Sequence, residues 1–153
     1  TMDTSDFSTS ILVSKPPEAA FDAINRVPAW WSGNVEGSAL QLGSEFTYTV
    51  PGVHYCRLKV VDSVPGRSIV WLVTESDLSY TANKSEWTGT RIRFDISRQD
   101  DLTRVRFVHE GLVPAFECFG ECSKAWTLLV EGQLFRLVST GLEQPNIFAP
   151  AST

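Results

Sequence analysis

The chain is poor in the side chains that most often carry metal or acid–base chemistry. Its 153 residues include two histidines, three cysteines and one methionine. Basic residues are also scarce: 13 Lys and Arg stand against 18 Asp and Glu, a net charge of −5. That balance argues against nucleic acid and anionic membranes as partners, because both need clustered positive charge. No apolar run approaches the roughly 18 to 20 residues of a membrane span. The N-terminal TMDTSDFSTS lacks a basic region and an apolar core, so it does not read as a signal peptide. An odd cysteine count without a secretory signal implies reduced thiols and a cytoplasmic location. There is no glycine-rich phosphate loop, no nucleophile elbow and no pair of inward carboxylates. These absences weigh against hydrolase and phosphotransferase chemistry.

Aromatic residues are plentiful: five Trp, nine Phe and three Tyr. Rings in that number fill a core or line a roomy apolar pocket. The length suits one domain over residues 1–153, with an ordered core over about 7–142 and an irregular tail at 143–153.

Alternation over Phe7 to Ser14 predicts a first strand. Pro16-Pro17-Glu18 opens a helix, and Pro28 opens a second short one at Ala29-Trp30-Trp31, closed by Gly33. Strands are then expected at Val35 to Ala39, Ser44 to Val50, His54 to Asp62, Arg67 to Glu75, Gly89 to Arg98 and Leu102 to Glu110. Short turns between them, such as Pro51-Gly52 and Pro65-Gly66, imply an antiparallel sheet. Asp77 to Thr88 reads as a polar connection. Phe116 to Thr140 has no proline and places Phe119, Trp126, Val130 and Leu137 on one helical stripe. The fold class is therefore α+β: a curved antiparallel sheet of about six to seven strands wrapped around a long C-terminal helix, with two short helices after the first strand.

Several strings in this order resemble the helix-grip superfamily, also called START-like or SRPBCC. They are Pro17-Glu18-Ala19-Ala20-Phe21, Ala29-Trp30-Trp31, Trp87-Thr88-Gly89-Thr90, Thr103-Arg104-Val105-Arg106-Phe107 and His109-Glu110-Gly111-Leu112. Cys122 to Trp126, running on to Thr140-Gly141, completes the match, which spans Phe7 to Leu142. The chain is most similar to the subgroup named after the ATPase activator of the ninety-kilodalton heat-shock chaperone. The resemblance implies a ligand cavity between the concave sheet face and the long helix. It allows a homodimer and a chaperone partner. It brings no fixed catalytic motif.

Period-two alternation places Tyr48, His54, Cys56, Trp71, Phe94, Phe107 and His109 on the inward face. The helix adds Trp126, Val130 and Gln133. These ten are the candidate ligand-binding residues. Each histidine is either a polar handle in a pocket or a hydrogen-bonded core residue. His109 is the candidate general acid/base, since the adjoining Glu110-Gly111-Leu112 loop is expected near one end of the helix. Gln133 either bonds a ligand or is wet near the helix end. Trp30 and Trp31 read as core and rim packing rather than a recognition pair. His54, Cys56 and His109 have metal-ligand chemistry, but no fourth ligand is evident, so no metal and no cofactor is expected. Cys118 and Cys122, four apart, read as small buried residues.

The leading expectation is non-covalent binding of a small apolar or aromatic molecule. An aromatase or cyclase-like enzyme acting on a polyketide or aromatic substrate is the alternative. A chaperone-activator-like interaction module with a filled core is the third reading. Whether any reaction is catalysed stays open, with binding preferred.

Overall fold

The computed structural model describes residues 6–31, 34–79, 81–82, 84–114, 116–117 and 119–141. Expectations for Gly33, Cys118, Leu142 and the tail lie outside them.

Strand β1 (Phe7–Val13) buries Ile11 and Val13 and turns Ser8, Ser10 and Leu12 outward. Helix α1 (Pro17–Asn25) begins where Pro16 is extended and Pro17 fills the first turn, a position whose N–H has no helical partner to lose. It buries Ala20, Ala23 and Ile24. Helix α2 is Val27–Trp30, two residues earlier than the sequence implied. Pro28 sits within its first turn, so the proline is compatible with a start before it. Six strands follow: β2 (Asn34–Gly37), β3 (Glu45–Val50), β4 (His54–Val64), β5 (Ser68–Leu78), β6 (Arg91–Gln99) and β7 (Leu102–Glu110).

Among the described residues, seven strands form one antiparallel sheet in the order β1-β7-β6-β5-β4-β3-β2. Only the placement of β1 beside β7 is non-local. Its register sets Phe7 opposite His109 and Ile11 opposite Val105. Cross-strand partners share a face, so the inward rows assemble across the sheet: Tyr48 opposite Cys56, Ile92 opposite both Trp71 and His109, Phe94 opposite Phe107. Two register shifts between β4 and β5, at Arg57/Leu58 and Val60/Asp62, mark bulges. Bulges bend and twist a strand, which suits a sheet that must curl. They also account for the lack of clean alternation in β5, where Ile69, Val70, Trp71 and Val73 are all buried.

The outer face carries charge. Arg93 reaches Asp95 and Glu110, and Arg57 reaches Glu75, all at partly exposed positions.

The covering helix differs from a continuous α-helix over Phe116 to Thr140. It comprises α3 (Phe119–Thr127), a π-helical segment (Leu128–Leu134) and α4 (Phe135–Thr140). The start is later because residues 116–117 are tied elsewhere. The Glu117 N–H donates to the Glu86 carboxylate, and the Glu117 carboxylate accepts from the Ala82 N–H, both at 2.9 Å. The π segment follows from the burial repeat. Pairs 129/130, 133/134 and 137/138 recur every four residues. An α-helix advances about 100° per residue, so a four-residue repeat drifts by about 40° each time. The wider π turn offsets that drift and keeps one face on the sheet. Gly141, with φ of 76°, ends the helix as expected.

Candidate functional site

Three elements converge on the inward face near the ends of β3, β4 and β7. The centre is His109, whose ring is fully buried. It points between sheet and helix, as the alternation of Val105, Phe107 and His109 predicts. The indole N–H of Trp126 donates to its Nδ1 at 3.0 Å. An indole nitrogen only donates, so Nδ1 carries no proton and the neutral ring holds its hydrogen on Nε2. That Nε2–H meets the Thr90 Oγ1 at 2.8 Å. The Thr90 hydroxyl then donates onward to the Trp87 carbonyl at 2.6 Å. The result is a one-way chain of hydrogen bonds from Trp126 through His109 and Thr90 to Trp87, with every member satisfied.

Burial, and secondarily the nearby His54, holds the His109 pKa down to about 3. A proton added at Nδ1 would face the Trp126 N–H head-on. The local backbone is shaped for the chain. Gly111 adopts φ of 102°, and a Cβ there would stand 2.7 Å from the Thr90 methyl. Only glycine suits that position.

Beside this chain lies a cavity of about 460 Å³. Its aromatic walls are Trp31, Tyr48, Trp87 and Trp126. Val50, Val53, Ala125 and Leu129 supply aliphatic lining, and His54, Cys122 and Glu121 complete it. Val53 and Glu121 are exposed and form the mouth. The rings pack in near-perpendicular planes: Trp31 meets Tyr48 at 88° and Trp126 at 73°. Trp87 lies parallel to Trp126 at 12°, centroids 5.9 Å apart. The Trp31 indole nitrogen is buried and makes no hydrogen bond to any described residue.

His54 is buried beside Cys56, with Nε2 to Sγ at 3.4 Å. Burial lowers its pKa to about 4, so the ring is neutral at ordinary pH. Burial likewise pushes the Cys56 thiol and the Tyr48 phenol well above their usual values, with Cys56 adding to the effect at Tyr48. Trp87 stands edge-on to both His54 and His109, with centroids 4.7 Å from each. An indole thus sits against each imidazole. Among the described residues, no group of three or more His, Cys, Asp or Glu is placed to hold a metal ion.

Of the ten candidates, Tyr48, His54 and Trp126 line the cavity. Cys56, Trp71, Phe94, Phe107, His109 and Val130 are buried and do not line it; they pack the core between sheet and helix. Inward alternation finds the covered face but does not separate pocket wall from solid core. Gln133 is neither wet nor in the cavity: it is buried and donates to the Trp30 carbonyl at 2.9 Å, tying the helix to α2. Trp31 and Trp87 were not among the ten. Trp87 had one visible signal, a lone tryptophan in an otherwise polar connection. Trp31 combines core packing with a place in the cavity wall.

No protein-family model matches the chain, and no curated protein matches it. Solved structures do. The Aha1 dimer from Colwellia psychrerythraea is similar with a TM-score of 0.72 at 21% identity, over 90% of this chain and 98% of that one. CalU16 from Micromonospora echinospora has a TM-score of 0.62 at 12% identity, over 95% and 85%. DynU16, a protein of the dynemicin biosynthetic locus, has a TM-score of 0.63 at 14% identity, over 89% of this chain and 48% of that one. The chain has the helix-grip fold these structures share.

Proposed function

We propose that this protein is a single helix-grip domain that binds a small apolar or aromatic molecule non-covalently between its sheet and C-terminal helix. The observation that carries this reading is the cavity of about 460 Å³ walled by three tryptophans and a tyrosine. Its size is that of a small-molecule site, and apolar walls with few polar groups are typical of such sites. Aromatic walls supply the affinity.

His109 has a positioning task in this reading. Both ring nitrogens are engaged and the residue is outside the cavity lining, so it holds Trp126 and Trp87 in place rather than moving a proton on a guest. This argues against the cyclase-like alternative as far as it depends on His109. The filled-core interaction module is disfavoured by the cavity itself. A homodimer remains part of the proposal, supported by the structural neighbour that is a dimer. Sedimentation of the purified protein tests it.

Native mass spectrometry of freshly purified protein, paired with tryptophan-fluorescence titration by 2-naphthol, tests the binding role. A small-molecule adduct lost on denaturation, or saturable quenching, is expected. Absence of both would overturn the reading.

A further inference from the structure

The charge inventory of the cavity is one-sided. Among the described residues, Glu121 is its only formally charged lining residue, and no lysine or arginine lines it. Among the described residues no ion pair engages Glu121. Both histidines in the region are neutral, through burial. A carboxylate or phosphate guest would lose its water here and find no cation in return, which is costly. The walls act in the opposite direction. Indole and phenol rings carry negative charge on their faces and attract an ammonium group held within about 6 Å of the ring centroid. Trp31 stands at 88° to Tyr48 and at 73° to Trp126, so these three lining rings do not all lie in one orientation. The net charge of −5 favours approach of a cation.

We propose that the natural guest is an organic cation: an aromatic or alkyl body bearing an amine or quaternary ammonium group, its body against Trp31, Trp87 and Trp126 and its charge toward Glu121 at the mouth. This rests on the binding role proposed above and names the ligand class for the same site. It also explains the placement of an acidic residue at the rim of an otherwise apolar cavity.

The test uses three probes of one shape class on the full chain: benzyltrimethylammonium, its uncharged carbon isostere neopentylbenzene, and phenylacetate. Tryptophan fluorescence and calorimetry report binding. The isostere measures the plain apolar affinity of the cavity. The cation is expected to bind at least tenfold more tightly than phenylacetate. Glu121→Gln should weaken the cation about threefold or more relative to the isostere. Glu121→Lys should reverse the order of cation and anion. Glu121 is exposed, so neither variant threatens the fold. Binding of the isostere without the cation would overturn the proposal and leave the binding role standing. So would cation binding indifferent to Glu121→Gln. Failure of all three probes at millimolar concentration would count against both.

Discussion

The Trp126 indole N–H donates to Nδ1 of His109 across 3.0 Å, joining the C-terminal helix to strand β7. That bond fixes the tautomer of the only histidine in β7 and orients an indole that forms a cavity wall. One contact therefore serves both stability and the shape of the site.

Trp126→Phe keeps a ring and removes the donor. His109 Nδ1 is then buried without a partner, an expected loss of about 1 to 3 kcal/mol. Trp126→Ala removes the packing as well and should cost about 3 to 5 kcal/mol. Denaturant unfolding measures both. A Phe variant as stable as the parent would show that the bond contributes nothing.

Gly111→Ala is expected to destabilise by roughly 1 to 3 kcal/mol. Its φ of 102° is unfavourable for an L-residue, and the new methyl would meet Thr90 at 2.7 Å. Thr90 is β-branched and bonded at both sides of its hydroxyl, so it cannot easily turn away. Thermal unfolding with near-ultraviolet circular dichroism, which reports tryptophan environment, should show both the loss and an altered signal. An unchanged spectrum and midpoint would mean the Gly111–Thr90 contact is slack.

Acid should weaken the fold before carboxylates titrate. His109 and His54 have folded pKa values lowered to about 3 and about 4, against an ordinary value of 6.5. Below pH 6.5 the unfolded chain takes up protons that the folded chain refuses, so stability falls as pH falls. The fall from these two groups runs from about pH 6.5 to about pH 3 and is absent above pH 7. His109→Gln should flatten part of this slope, with the remainder due to His54. Melting temperatures across pH 4.5 to 8 check it. A parent protein equally stable at pH 5 and pH 7 would contradict the neutral, buried state of both rings.

Much of the fold was legible because alternation, strict in β6 and broken in β7 only at the buried Val108, leaves one register with a covered face. That alone turns Phe94, Phe107 and His109 inward. Tyr48, His54 and Trp126 were legible as inward residues for the same kind of reason. Their membership of the cavity was not, since a wall and a core impose the same apolar pattern. Trp87 was hidden because residues 77–90 include a connection with no period to read, and its position depends on backbone bonds such as Gly89 N–H to the Val73 carbonyl. The π segment was also hidden. Its cause is a four-residue burial repeat, which in sequence resembles an ordinary helical stripe. The sequence does not assign a role to Gln133, because a buried amide's partner, here the Trp30 carbonyl, lies 103 residues away.

The claim that the space between sheet and helix is a binding site is tested most directly by the tryptophan side-chain N–H resonances in a proton–nitrogen correlation spectrum. Trp31, Trp87 and Trp126 line the cavity, while Trp30 and Trp71 are packed behind it. Titration with 2-naphthol and with benzyltrimethylammonium should move the three cavity signals together and saturably for at least one probe, and leave the other two nearly still. Uniform small shifts of all five, or no saturable shift at millimolar probe, would contradict the account.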